Sequence, residues 1–265
     1  MNGFKNYKFS IIIPNYNGGR FLEWCLKSII NQQYKNYEVI IVDWKSNDNS
    51  HKIIQKYVSN NIKWVNKTDK WISSWFNIWI KYSSWDFILF LWSDDYLYYN
   101  ILEKVNNYIN NVCNYWLFKN MNINIFCDSI NYYAKNNYFE KRNFPSKFIN
   151  KYNLIKYWTL VWLQNIYFNR KWILKNKLDE NNKYSMDYDV YFRMLKDNEI
   201  FIYIPEINSI NYQWDNISCK FLKQSFKEWI TVAKRYSSNL IDYINIYKRI
   251  IIFNIIILLK WLFKR

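Results

Sequence analysis

Small and turn-forming residues are nearly missing from this chain. It has 3 glycines (Gly3, Gly18, Gly19) and 3 prolines, and alanine occurs only at Ala134 and Ala233. Histidine occurs once, at His51. That excludes a multi-histidine zinc site, and any Ser-His-Asp triad or Cys-His pair not built on His51 itself. Flanked by Ser50 and Lys52 after a polar turn, His51 reads as a surface residue. The 4 cysteines (Cys25, Cys113, Cys127, Cys219) form no CxxC pair. They read as reduced, buried or incidental thiols in a cytosolic setting. No signal peptide is expected, because the apolar run Phe9–Ile13 is too short and ends at Pro14. No internal repeat or Ser/Gly linker is visible.

What is present is apolar and basic. Of 265 residues, 51% are hydrophobic, enough for one large domain with a real core, or a domain plus a tail. The net charge of +16 suits nucleic acid, an anionic membrane surface or a phosphate-bearing substrate. Abundant Lys, Asn, Ile and Tyr are also what an AT-rich coding sequence produces. Charge alone therefore supports only nonspecific attraction to nucleic acid, and no specific nucleic-acid partner is expected. The segment RIIIFNIIILLKWLFKR, Arg249 to Arg265, is strongly apolar with basic ends. It is too short and interrupted for a transmembrane span, and reads as an anchor lying on a membrane surface. The alternatives are a terminal helix packed on the body, or a dimer contact.

Strand-like and helix-like segments alternate. Phe9–Ile13, Glu38–Val42, Ile62–Val65 and Phe87–Leu91 read as strands. Phe21–Asn31, Ile53–Val58 and Ile72–Tyr82 read as helices. Short links between them imply an α/β fold with a mostly parallel sheet. Farther on, Ile123–Tyr133 reads as a strand pair, and Gln164–Asn169 and Ile200–Ile204 as strands. Asp187–Leu195 and Phe221–Tyr236 read as helices. Residues 1–215 are expected to form the main domain and 216–265 a helical C-terminal region.

Ligands of parallel α/β sheets gather beyond the carboxyl ends of the strands. Asp43 and the pair Asp94–Asp95 sit at two such ends. Two carboxylates at a strand end suit a hard divalent cation such as Mg²⁺ or Mn²⁺, which would neutralise a diphosphate. Asp187 and Asp189 open a helix, where either can act as a cap or as a general base. Arg193, on another face, suits a phosphate or an ion-pair partner.

These pieces together resemble family 2 glycosyltransferases, which have the GT-A fold. Pro14–Asn17 matches P-x-Y-N, Ser28–Gln32 matches S-(I/L)-x-x-Q, Glu38–Asp43 matches E-(I/V)-I-(I/V)-V-D, and Ser46–Ser50 matches the following turn. The segment DKWIS…SDD is similar to the next family block. Asn165–Asn169, Asp179–Glu180 and Met186–Arg193 are similar to later ones. The likeness runs from about Lys8 to Tyr212. It implies a Rossmann-like, mostly parallel central sheet flanked by helices, here with an apolar helical C-terminal tail. It implies that Pro14, Asn15, Tyr16, Asn17, Asp43, Asp69 and Asp94 hold a nucleotide-sugar donor, that Asp95 holds Mn²⁺ or Mg²⁺, and that Asp187 is the base. The implied reaction is a single inverting displacement onto a glycan or lipid-linked glycan in cell-surface polysaccharide synthesis. With the basic apolar tail, it places the protein in the cytoplasm, peripheral at the inner face of the cell membrane. Two departures stand out: Leu163 where the family often has histidine, and Ser74 where it usually has aspartate.

A larger departure is tryptophan. Trp44, Trp71, Trp79, Trp85 and Trp92 fall where the family blocks expect or commonly have glycine, in a chain with 15 tryptophans and 3 glycines. Glycine serves such positions through close approach or positive φ. An AT-rich gene whose UGA codons encode glycine, translated with a table in which UGA encodes tryptophan, would produce this pattern; Trp162, Trp172 and Trp214 are further candidates. Genuine tryptophans would instead favour a catalytically inactive binding or scaffold protein on the same fold. A nucleotidyltransferase is a third possibility, though its Gly-rich phosphate loop is not evident.

Overall fold

The computed structural model describes residues 4–66, 72–113, 123–142, 149–157, 162–213 and 221–262. Its strands are β1 (Phe9–Asn15), β2 (Tyr37–Asp43), β3 (Ile62–Asn66), β4 (Phe87–Phe90), β5 (Tyr96–Leu97), β6 (Ile123–Tyr133), β7 (Tyr138–Arg142), β8 (Ile166–Asn169) and β9 (Ile200–Gln213). Its helices are α1 (Leu22–Ile30), α2 (Ser50–Tyr57), α3 (Ile72–Tyr82), α4 (Ile101–Cys113), α5 (Lys151–Lys156), α6 (Arg170–Asn176), α7 (Met186–Lys196), α8 (Leu222–Tyr236) and α9 (Leu240–Leu262).

One sheet runs in the order β3-β2-β1-β4-β8-β6-β9-β5, with β7 paired to β6. The first four of these strands pair in parallel, as the alternation predicts. β8 then runs antiparallel to both β4 and β6, so β6 and its parallel neighbour β9 point the same way as β1–β4. The sheet is thus mixed beyond β4.

The apolar runs are continuous because both faces of the parallel strands are covered. Ile11, Ile13, Val39 and Ile41 face one core with α1, α2 and α4. Ile12, Ile40, Ile88 and Phe90 face another with α3, α7 and α8. In α1, Leu22, Cys25, Leu26 and Ile29 recur at helical spacing and are all buried. Cys25 and Cys127 are free and buried, as expected of incidental thiols.

The second half departs from the expected elements. Ile123–Tyr133 is one strand rather than a pair, with β7 as its hairpin partner and register shifts at Asp128. Gln164–Asn169 opens as a 3₁₀ turn, Leu163–Asn165, and becomes extended only from Ile166.

The apolar tail forms α9, and no helix among the described residues is long and apolar enough to cross a membrane. One side of α9 packs on the body through buried Ile246, the stack of Phe253 on Phe226 and an ion pair from Asp242 to Lys151 at 2.8 Å. The other side leaves Leu240, Ile241, Ile244, Tyr247, Ile251 and Ile255 exposed in one stripe.

Candidate active site

The ends of β1 and β2 are tied together. Asn15 lies opposite Asp43 in the parallel register, and its Nδ2 donates to Asp43 Oδ1 at 2.7 Å. Asp43 also accepts from Ser46 Oγ at 2.6 Å and from the Ser46 backbone N–H at 3.0 Å. His51 Nε2 lies 2.7 Å from Asp43 Oδ2. His51 is therefore not a free surface group, since its ring is joined to the carboxylate that ends β2. The turn closes through Asn17, whose backbone N–H donates to Ser46 Oγ at 2.9 Å and whose Oδ1 accepts from Asn47 N–H at 2.9 Å. Pro14, Asn15 and Asp43 are buried in this frame, while Tyr16 and Asn17 stand exposed at its rim. Tyr16 leans on Trp44, ring centroids 5.1 Å apart.

The strand β4 end lies against the same frame. A Cβ on Gly18 would meet Ser93 Oγ at 2.6 Å and Asn15 Oδ1 closer still, so only glycine fits where the β1 loop crosses the β4 loop. Beyond Ser93 come Asp94 and Asp95. The Asp95 backbone N–H donates to Trp92 O at 3.0 Å, and Asp95 Oδ1 accepts from Tyr212 N–H at 3.2 Å. Asp95 Oδ2 is buried without a partner. Burial, then the neighbouring Asp94 charge, push the Asp95 carboxyl well above the usual carboxylate range. Burial raises Asp94 as well. The Cys25 thiol is pushed up by burial and by both carboxylates.

Two crowded carboxylates with an orphaned oxygen fit a divalent cation, which would relieve both their repulsion and their desolvation. Among the described residues no group of 3 or more His, Cys, Asp or Glu side chains could hold a metal. A cation held there would have to complete its shell with water or ligand oxygens, as is usual for Mg²⁺-type sites.

The second acidic element is the start of α7. Asp189 is buried and fully engaged: Arg193 Nε donates to it at 2.8 Å, Arg235 at 3.0 Å and the Tyr236 hydroxyl at 3.0 Å. Arg193 thus meets an ion-pair partner rather than a free phosphate site, and it also donates to Asn176 O. Asp187 has no ion pair among the described residues, and accepts from the Tyr188 backbone N–H at 2.8 Å. Burial raises its carboxyl to about 6. The Tyr191 hydroxyl is buried without a partner, and its ionisation is driven up by burial and then by the Asp187 charge.

Glu228 of α8, which sequence reasoning missed, fixes the approach to this helix. Its carboxylate accepts from the backbone N–H groups of Lys183, Tyr184 and Ser185 at 3.0, 2.7 and 3.2 Å. Asn77 of α3 ties in the preceding turn, donating to Leu178 O at 2.8 Å and Glu180 Oε1 at 3.0 Å.

Asp69 and Trp71 lie outside the described residues, as does Trp214. None of the described tryptophans has a positive φ. The left-handed residue of the β2 turn is Lys45, at φ 46°, not Trp44 beside it, so the φ argument for glycine applies to Lys45. Trp79 is enclosed in the core and packs on Tyr82 at 5.3 Å, and Trp92 meets Phe76 edge-on at 5.9 Å.

Comparison with known proteins bears on the family and the fold. The chain is 28% identical over 200 residues to an uncharacterised glycosyltransferase of Rickettsia prowazekii, covering 72% of this chain and 60% of that protein. It is 37% identical over 106 residues to a poly(ribitol-phosphate) beta-N-acetylglucosaminyltransferase of Staphylococcus aureus, covering 38% of this chain and 32% of that one. The chain thus spans less than two thirds of these curated relatives. Its fold matches the structure of Staphylococcus aureus TarS 1–349 in complex with UDP-GlcNAc, with a TM-score of 0.67, 17% identity, and coverage of 85% of this chain and 65% of that chain. The model of glycosyl transferase family 2 matches residues 10–174, and the chain belongs to that family.

Proposed function

We propose that the protein transfers a sugar from a nucleotide-sugar donor to a glycan or lipid-linked glycan acceptor, with inversion at the anomeric carbon. The observation that carries this reading is the division of labour on α7. Asp189 is neutralised by two arginines, whereas Asp187 has no cation partner among the described residues and its carboxyl is raised to about 6. A general base works best with a pKa near the working pH. Asp187 takes the proton of the acceptor hydroxyl as that oxygen attacks the anomeric carbon, and the bond to the diphosphate oxygen breaks. Tyr16, Asn17 and Asp94 would contact the donor directly. Pro14, Asn15 and Asp43 would shape the turn that receives it, and Asp69 would lie beside the nucleotide. When bound at Asp95, Mn²⁺ or Mg²⁺ would offset the charge of the departing diphosphate. The test is release of nucleoside diphosphate from UDP- and GDP-sugars, with and without Mn²⁺, by the wild-type chain and by Asp187→Asn. Release by neither donor series would count against the reading.

The same reading sets the protein at the inner face of the cell membrane, in cell-surface polysaccharide synthesis. The exposed stripe of α9, with exposed neighbours Tyr243 and Lys248, supports it. Such a helix lies in the headgroup region with its cations toward anionic lipids.

We also read Trp71, Trp79, Trp85 and Trp92 as glycine in the source cell. The support is their coincidence with the family's glycines in a chain almost devoid of that residue. The burial of Trp79 is the observation that weighs against it.

A further inference from the structure

On the far side of the acidic pair from the nucleotide frame lies a group of neutral polar side chains with unmet hydrogen bonds. Ser129 and Asn131 on β6 stand beside Ser209 and Asn211 on β9 in the parallel register. Alternate residues of a strand share a face. Asn165 reaches them, with Ser209 Oγ 3.0 Å from Asn165 Oδ1 and 2.6 Å from Asn211 Oδ1. All five side chains are buried. Yet Ser129 Oγ, Asn131 Oδ1, Asn165 Nδ2 and Asn211 Nδ2 have no partner. Adjacent Asn208 shows the usual state, accepting from the Tyr167 hydroxyl and donating to Gln164 O. Buried groups left unpaired are uncommon and ask for an explanation.

Position supplies one. Leu89, Tyr167 and Ile125 form one row across β4, β8 and β6. The polar group lies several residues beyond that row, at the carboxyl ends of β6 and β9, the same edge as Asp43 and Asp94. Tyr212, next to Asn211, links β9 to Asp95 through its backbone N–H. Tyr132 and Tyr212 point to the opposite face, where Tyr212 meets Phe21 at the start of α1. The polar group therefore faces away from α1, toward the side on which α7 packs. In the strand order the acidic pair after β4 has β1 and β2 on one side and β6 and β9 on the other. In a direct displacement, acceptor and leaving group flank the reacting carbon from opposite sides.

Chemistry selects the ligand. Each asparagine carries both donors and an acceptor whichever way its amide is turned, and serine carries one of each. A phosphodiester, acceptor only, would leave amide oxygens of the group unmet, and any phosphate would bring charge to a group that holds no cation. An ammonium group, donor only, would leave the amide N–H groups unmet. Alcohols satisfy both kinds. We infer that Ser129, Asn131, Asn165 and Asn211 form a subsite for the hydroxyls of an uncharged sugar or alditol unit of the acceptor. Its assignment to the acceptor rests on the transferase reading above.

The test is ligand-observed NMR on the full chain with UDP and Mn²⁺ present, using N-acetylglucosamine and ribitol as probes and inorganic phosphate as the charged control. At least one polyol probe should bind. Asn131→Ala combined with Asn211→Ala should weaken it about tenfold or more while UDP affinity holds. If melting curves show that the double variant is unfolded, Asn211→Ser alone serves, with the same direction expected. Three results overturn the subsite: neither polyol binds, phosphate binds in their place, or the folded variants keep probe binding, leaving only internal water there. Failure of the wild type to bind UDP would strike the transferase reading instead, and loss of polyol binding in the variants would then leave a hydroxyl site without that role.

Discussion

Asp187 and Asp189 begin the same helix two residues apart, yet among the described residues only Asp189 carries ion pairs, to Arg193 and Arg235. Helix geometry turns their side chains to different sides. The two carboxylates should therefore fail differently when neutralised. Asp187→Asn should lower turnover by about 10²–10⁴ with little loss of stability, as expected for removal of a general base. Asp189→Asn should destabilise the fold by about 2 kcal/mol, a figure kept low because Arg235 is half exposed. Paired thermal melts and turnover measurements separate the two effects.

The acid limb of activity should report Asp187. With its carboxyl raised to about 6 by burial, kcat/KM should fall as pH drops through that value. The stability effect has the opposite sense. A group whose folded pKa is raised stabilises the fold below its unfolded pKa and loses that contribution as pH rises through the folded one. Between about pH 4 and about pH 6 the wild type should lose on the order of 2 kcal/mol that Asp187→Asn does not lose. Denaturant titrations of both proteins across that range check the sign.

Metal should matter through Asp95. Both carboxylates of the pair are raised by burial, and Asp95 also by its neighbour's charge. Asp95→Asn should raise the melting temperature of the metal-free protein at neutral pH while abolishing Mn²⁺-dependent UDP binding. Calorimetry with and without EDTA shows whether both changes occur together.

Vesicle flotation tests the outer stripe of α9. Ile241→Ser, Ile244→Ser and Ile251→Ser in one chain should reduce binding to anionic vesicles without altering the melt, since all three side chains are exposed. Equal binding by the triple variant, or binding independent of lipid charge, would contradict a membrane role for this face.

Peptide mass spectrometry of the protein from its source cell should find glycine at positions 71, 79, 85 and 92. Tryptophan at Trp79 would mean that the ring enclosed in the core is native, and that Trp79→Gly would cost about 3–5 kcal/mol as a large-to-small core change.

The parallel half of the sheet was legible because each strand is a short, mostly apolar run ending in a polar turn. Phe9–Ile13, Glu38–Val42 and Phe87–Leu91 needed no distant information, and the carboxylates at their ends followed. α4 is absent from the elements expected above, although Ile101, Leu102, Val105 and Ile109 recur at helical spacing and are all buried. β6 looked like two strands because Asp128 and Ser129 interrupt its apolar run, where the structure has a register shift. β9 continues well past Ile204 because Asn208, Ser209 and Asn211 are buried polar residues, which local pattern counts against a strand. The Glu228 cap on the turn before α7 was out of reach, since its partners lie 43 to 45 residues upstream. The Asp43–His51 contact depends on the β2 turn, which composition does not specify.

The most direct test is the pH dependence of nucleoside diphosphate release from a nucleotide-sugar donor, measured for wild type and Asp187→Asn with Mn²⁺. The wild-type rate should fall below an apparent pKa of about 6, and the variant should be slower by at least about a hundredfold with that limb gone. A folded variant that keeps both the rate and the acid limb would contradict the assignment of Asp187 as the base.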